Sequence, residues 1–256
     1  MAPASGWLRF AEYAASNEPT QSSHPPYNPF RNRWQTMPYS IADIRSQLYA
    51  AVVCDALDQV GLYHQSPRVS LPLQVESSTD GSLLVGRCKT TLWADMAHVD
   101  PDPYALELQG VDSCQPDDVF IAAAGGSMRS GIWGELLTTA ARNRGCVGAV
   151  IDGAVRDVSK ISTMGFPVYA RGTCLYDSLN RQRVIDLDVP VEIDGVVFHP
   201  GDLVVADRDG VVVIPQAVEE QVLDLAFAKV QGENRVRDAI RQGMSAVEAY
   251  RTFGVL

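Results

Sequence analysis

No stretch of the 256-residue sequence approaches the roughly 18 consecutive apolar residues that would span a bilayer, so a membrane-crossing protein is not expected. Basic residues are scarce: 21 Lys and Arg stand against 31 Asp and Glu, a net charge of −10. Nonspecific binding to nucleic acid or to an anionic membrane needs a basic face, so neither partner is expected. The first residues hold no basic segment followed by an apolar stretch, and no secretory signal is expected. The five Cys, at 54, 88, 114, 146 and 174, are odd in number and include no Cys-x-x-Cys pair. A disulfide framework or zinc ribbon is therefore not expected, and the usage suits a soluble protein of a reducing, cytoplasmic compartment. The four His, at 24, 64, 98 and 199, form no His-Glu-x-x-His motif. No Gly-x-Ser-x-Gly elbow and no Gly-x-Gly-x-x-Gly fingerprint occurs, which argues against a serine hydrolase and a dinucleotide site.

What is present is ordinary for a folded protein: 46% apolar and 20% charged residues. The length suits one large domain with an appendage. Residues 1–38 are the appendage, since they hold six of the fifteen Pro, at 3, 19, 25, 26, 29 and 38. Proline at that density forbids a long helix or a central strand. The segment reads as an extended arm, and Trp7, Phe10, Tyr13, Tyr27, Phe30 and Trp34 suit an arm packed on its own or a neighbouring subunit; a disordered tail is the alternative. Residues 39–256 read as a single α/β domain.

Ser40 and Asp43 have capping-box spacing, and a helix is expected from there to about Val60. Strands are expected over Leu83–Leu92, Asp118–Ala124, Val147–Ile151, Pro167–Ala170, Val189–Phe198, Leu203–Ala206 and Val211–Ile214. Helices are expected over Gly131–Asn143, from about Arg156 to Met164, and from Gln216 to about Gln242. Residues 118–164 then form a βαβα unit with parallel strands, whose carboxyl ends share one sheet edge. Open α/β sheets place ligand sites at that edge.

Two loops leave it. Gly125 to Gly131 is glycine-rich and feeds a helix start, where free N–H groups and the helix dipole suit an anion; a tight turn with an ordinary cap is the alternative. Gly126 and Gly131 have phosphate-loop spacing, but Ile132-Trp133 follows where Lys and Ser/Thr are needed. Asp152 to Asp157 sets Arg156 beside Asp157. A guanidinium can clamp a carboxylate, and an Asp can ligate a hard divalent cation; a surface ion pair is the alternative. Glu135 falls in the first turn of the preceding helix, with twenty residues between it and Arg156. A βα turn at each end of that spacing can bring the three groups together. Trp93 to Asp100 can line a pocket or form a solvated loop, and Cys146 and Cys174 read as packing residues.

The runs Trp133-Gly134-Glu135-Leu136, Asp152-Gly153-Ala154-Val155-Arg156-Asp157, and Pro200-Gly201-Asp202 through Asp209-Gly210-Val211 occur in an order shared with a known superfamily. So do Asp55-Ala56-Leu57-Asp58, Val85-Gly86-Arg87 and Asp177-Ser178-Leu179-Asn180-Arg181. From about residue 40 to the C-terminus the sequence resembles the superfamily of the regulator of ribonuclease E activity A and the 4-hydroxy-4-methyl-2-oxoglutarate aldolases. The resemblance implies a compact αββα sandwich of the swivelling β/β/α type, assembled as a homotrimer or hexamer. It implies a divalent-metal lyase that cleaves a small 4-hydroxy-2-oxo acid to pyruvate, with oxaloacetate decarboxylase activity.

On this resemblance Asp157 would be the direct ligand of Mg2+ or Mn2+. Arg156 would hold the carboxylate and carbonyl end of the 2-oxo acid. Gly134 and the N–H groups of Leu136 and Leu137 would cradle the pyruvyl carboxylate. Glu135, and Glu233 of a neighbouring subunit, would orient water for proton relay. The aldolases usually carry Asp where Glu135 stands, and a Lys near the place of Arg181, which would meet the distal substrate group. Two other readings fit the same resemblance: a non-catalytic regulator that binds a ribonuclease by protein contact, and a lyase acting on a sugar-acid-derived 2-oxo acid.

Overall fold

The computed structural model describes residues 39–68, 71, 73–75 and 83–255, so the expected arm lies outside the described residues. In chain order the elements are α1 (Ile41–Gln47), α2 (Ala50–Gln59), β1 (Leu73–Val75), β2 (Leu84–Asp95), α3 (Ala105–Asp112), β3 (Asp118–Ala123), β4 (Gly131–Trp133), α4 (Glu135–Asn143) and β5 (Gly148–Val155). They continue with α5 (Val158–Met164), β6 (Val168–Thr173), β7 (Gln182–Leu187), β8 (Val191–Ile193), β9 (Val196–Phe198), β10 (Leu203–Asp207), β11 (Gly210–Ile214), α6 (Glu219–Arg241) and α7 (Ala246–Phe253).

Strands β6, β5, β3 and β2 lie side by side in that order and run parallel, as the βαβα pattern requires. Antiparallel strands extend this centre: β10 and β7 pair with β2, β11 pairs with β10, and β1 pairs with β6. The period-2 alternation of a strand divides β3 between two cores. Phe120 and Ala122 pack with Trp133, Ala141, Ile151, Ile161 and Phe166 on the side of α3, α4 and α5. Val119, Ile121 and Ala123 pack with Val191, Ile193, Val196 and Phe198 of the β8–β9 hairpin. Each fully buried side chain of this size stabilises by roughly 1.5–3 kcal/mol. Hairpin, sheet and helices form the expected β/β/α layers, while α2 and α6 pack together beside β10 and β11.

Several boundaries differ from expectation, for physical reasons. The Ser40–Asp43 capping box forms, with both reciprocal hydrogen bonds, but the helix it starts stops at Gln47. Leu48 and Tyr49 are extended, which buries Leu48 and lets the Tyr49 hydroxyl donate to Glu233; these tertiary contacts outweigh helix propensity. The helix expected from Gly131 starts at Glu135, because residues 131–133 pair with β5 and bury Trp133 against Phe120 and Phe166. Strand β5 runs to Val155, so the helix expected from Arg156 begins only at Val158. Val189–Phe198 is a hairpin, turning at Asp194-Gly195, where both residues have positive φ as a two-residue Asp-Gly turn demands. Trp93, Ala94 and Asp95 continue β2 rather than opening a loop. The last long helix spans Glu219–Arg241, and α7 follows it behind a Ser245 cap. No helix among the described residues is long and apolar enough to cross a membrane. All five Cys are free, with Cys146 buried in the core and Cys174 half-buried.

Candidate active site

The parallel strands β2, β3, β5 and β6 end on one edge, and the segments that follow them, 96–104, 124–130, 156–157 and 174–181, gather there. Strand β4 lies along the end of β5, so the start of α4 joins them. Segment 174–181 links β6 to β7, and β7 pairs with the far end of β2 through Asp95 and Gln182. It therefore crosses the ends of β5 and β3. Cys174 N donates to Val155 O at 2.9 Å, Gly131 N to Tyr176 O at 2.8 Å, and Met96 N to Arg181 O at 2.8 Å. Gly131 makes the crossing possible: a Cβ there would lie 2.5 Å from Cys174 O and 2.9 Å from the Arg156 Cβ.

Arg156 and Asp157 leave the end of β5. Asp157 is the N-cap of α5, yet its side chain makes no cap hydrogen bond, and its backbone is left-handed at φ 58°. An Asp in that place ordinarily caps its own helix. Here the carboxylate turns to α4, where Glu135 N donates to its Oδ2 at 3.3 Å, and Arg156 Nε lies 3.8 Å from the same oxygen. Gly134 allows this approach, since a Cβ at 134 would sit 2.9 Å from Asp157 Oδ2 and 3.2 Å from Arg156 Cγ. The N–H groups of Leu136 and Leu137 fall in the first turn of α4, where a helix offers no carbonyl partner. Leu136 is exposed and Leu137 half-buried. Glu135 joins the group through its backbone; its side chain leans along α4, accepting from the Thr139 hydroxyl at 3.1 Å.

A second layer of polar groups backs Arg156. Its Nη2 meets Asp177 Oδ2 at 2.7 Å, and Asp177 Oδ1 accepts from the Tyr104 hydroxyl at 2.6 Å and from Leu179 N at 2.8 Å. Burial pushes the Asp177 carboxyl up, but Tyr104, Leu179 and Arg156 together outweigh it and hold the group below its ordinary value. Burial, then the bond to Asp177, raises the Tyr104 phenol to about 12. Ser178 donates to the buried Glu107 at 3.2 Å, and burial lifts Glu107 to about 7. Sequence reasoning assigned no role to Asp177 and missed Tyr104 and Glu107 entirely. The Asp177-Ser178 run was the one available signal.

The glycine-rich loop departs from expectation. It feeds β4 rather than a helix, and Gly126 N donates to the buried Asp152, which also pairs with Arg171 at 2.5 Å. That amide is satisfied internally. Arg181 Nη1 donates to Asp177 O at 3.1 Å and Leu179 O at 3.4 Å, and the guanidinium lies 4.9 Å from the Tyr176 ring centre. Glu233, on α6, accepts from Tyr49 and lies between Lys229 at 4.0 Å and Arg237 at 3.8 Å. Among the described residues its polar partners are those three, and Arg156 and Asp157 are not among them.

The family model for RraA-like proteins, described as Aldolase/RraA, matches residues 50–213. This chain belongs to the RraA-like family. The RraA-like chain is 36% identical over 143 residues to a Halalkalibacterium halodurans protein named "Putative 4-hydroxy-4-methyl-2-oxoglutarate aldolase", a match covering 56% of this chain and 68% of that one. Among solved structures it is similar to an uncharacterized protein from Pseudomonas syringae pv. tomato, with a TM-score of 0.69 and 29% identity over 80% of this chain and 93% of that one. It is also similar to Streptomyces coelicolor RraAS2, described as an unusual member of the RNase ES inhibitor RraA protein family, with a TM-score of 0.67 and 28% identity over 78% of this chain and 98% of that one.

Proposed function

We propose that the protein is a divalent-metal-dependent carbon–carbon lyase that cleaves a 4-hydroxy-2-oxo acid to release pyruvate, and that the same site decarboxylates oxaloacetate. The observation that carries this reading is the meeting of Arg156, the Asp157 carboxylate and the first turn of α4 at one sheet edge. A guanidinium fork and unpaired helix N–H groups together suit a small carboxylate.

The donor chemistry is compatible with a metal. Asp157 Oδ1 has no partner among the described residues, and the side chain is 38% exposed. No group of three or more His, Cys, Asp or Glu able to hold a metal occurs among the described residues, and this reading therefore uses a single carboxylate ligand from this chain. Magnesium is commonly held by one or two carboxylates, with water and substrate oxygens completing the shell. Bound at Asp157, Mg2+ or Mn2+ would supply Lewis-acid polarisation of the 2-oxo group.

The chain's own residues would do the rest. Arg156 and the N–H groups of Leu136 and Leu137 bind the substrate carboxylate and orient it. Glu135 takes up the C4 hydroxyl proton through a water as the C3–C4 bond breaks and the electrons pass to the pyruvate enolate. Arg156 stabilises that enolate, which then takes the proton back at C3 from Glu135 through the water, so that Glu135 ends the cycle ionised. Loss of carbon dioxide from oxaloacetate yields the same enolate, so one site serves both reactions. In this reading the protein assembles as a homotrimer or hexamer, Glu233 assists from a neighbouring subunit, and a sugar-acid-derived 2-oxo acid is an alternative substrate. A non-catalytic contact with a ribonuclease is the second reading, favoured by the likeness to RraAS2. The deciding measurement is pyruvate release from oxaloacetate with Mg2+, with Mn2+ and after exhaustive chelation. Metal-dependent release supports the lyase. No release, or release undiminished by chelation, refutes it.

A further inference from the structure

We propose that Asp177 is the positioning residue for Arg156, and that the phenol of Tyr104 holds Asp177 to that task. The proposal rests on the reading of Arg156 as the group that grips the substrate carboxylate. Arg156 stands at the end of β5 with its side chain 33% exposed. An unheld arginine there would sample many rotamers and lose that freedom when a ligand binds. Asp177 removes the freedom in advance by taking Nη2 at 2.7 Å. Nη1 has no partner among the described residues and is the arm left for a ligand.

The carboxylate of Asp177 is itself fixed by donors from separate segments. Tyr104, just ahead of α3, and Leu179 N, in the crossing loop, both donate to Oδ1, while Oδ2 serves Arg156. The loop that carries Asp177 is tied down on both sides. Ser178 donates to Glu107, Asp100 N donates to the Asn180 side chain at 3.1 Å, and Arg181 binds two carbonyls of the loop. Arg181 thus serves the loop that aims Arg156. A half-exposed ion pair adds little to stability, so the built surroundings of this one point to geometry at the site.

The test compares full-length wild type with Asp177→Asn and Tyr104→Phe. Reaction of Arg156 with phenylglyoxal, followed by peptide mass spectrometry, reads its restraint without any turnover. Label is expected to enter Arg156 about tenfold faster in Asp177→Asn and about threefold faster in Tyr104→Phe, with Arg171 and Arg183 unchanged as internal controls. With oxaloacetate, KM is expected to rise about tenfold in Asp177→Asn while kcat changes less than about threefold, because releasing Nη2 loosens the grip on the carboxylate, which substrate and transition state share, while the guanidinium charge that stabilises the enolate remains. Adding Asp177→Asn to Arg156→Lys should cost nothing further, since both act through one contact. Tyr104→Phe keeps the test decisive should Asp177→Asn fail to fold. Unchanged labelling of Arg156 overturns the proposal, as does faster labelling with an unchanged KM. Absence of metal-dependent pyruvate release from the wild type would sink the lyase reading, whereas the labelling rates judge the positioning by themselves.

Discussion

Replacing Glu107 by Gln should make the protein more stable at pH 8 and leave it nearly unchanged at pH 4.5. Glu107 is 6% exposed, accepts one hydrogen bond from Ser178, and faces Asp177 with Arg156 and Tyr104 close by. Burial is the main cause that lifts its carboxyl from 4.5 to about 7. The folded state therefore keeps the proton longer than the unfolded chain does. Between those two values the unfolded state binds fewer protons, so stability falls as pH rises, and above about 7 the full penalty is present. At about 1.4 kcal/mol for each pK unit, the penalty is about 3 kcal/mol, a large part of a typical domain's 5–15 kcal/mol. Glutamine has the same shape, accepts from Ser178 through its amide oxygen, and carries no charge. The assay is urea unfolding of both proteins at pH 4.5, 6, 7 and 8 at one protomer concentration. Asp118, which burial raises to about 6, bends both curves alike and cancels in the difference. The difference should open by about 3 kcal/mol between pH 4.5 and 8. Parallel curves across that range would refute the reasoning, because they would mean that Glu107 ionises without cost.

Gly134→Ala should lower pyruvate release about tenfold to a hundredfold with a stability change of about 1 kcal/mol or less, because its backbone is ordinary extended chain and the atoms nearest the new methyl group are the Asp157 carboxylate and Cγ and Nε of Arg156, side chains that can shift. Steady-state kinetics beside a thermal melt checks this, and wild-type turnover would show that the Asp157–Arg156 spacing does not matter. Asp157→Ala and Glu233→Gln should each lose nearly all turnover. Mixed and reassembled oligomers of the two should regain part of it, because some interfaces pair an intact Asp157 with an intact Glu233; recovery no greater than the parents' sum would rule out a site shared between subunits.

The sheet's centre was legible because β3 after Asp118, and β5 as far as Ile151, are buried on both faces and read as short apolar runs. Helix α3 was not. Its sequence, Ala-Leu-Glu-Leu-Gln-Gly-Val-Asp, has no cap signal and carries Gly110 where a Cβ would lie 3.2 Å from Leu187. The glycine suits close packing and weakens the helical pattern at once. Strand β7 was missed because Gln182 and Arg183 look like loop residues. Gln182 is buried, with its oxygen accepting from both the backbone and the hydroxyl of Ser130, a partner 52 positions away.

The same division runs through the candidate site. Arg156, Asp157 and Glu135 were readable together because strand ends of a parallel sheet fall on one edge, so residues just after β4 and β5 must be neighbours. Asp177 and Tyr104 obey no such rule. Tyr104 precedes Asp177 by 73 positions, and the two meet because segment 174–181 must cross the sheet edge to reach β7 beside β2. That crossing needs Gly131 to have no side chain, and it carries Asp177 onto Arg156. The groups proposed to touch substrate thus follow from local pattern, whereas the groups that hold them in place follow from the path of one loop. Substitutions in that loop should therefore alter binding more than they alter folding, and removal of the Tyr104 phenol, which among the described residues bonds the loop only through Asp177, should be milder still.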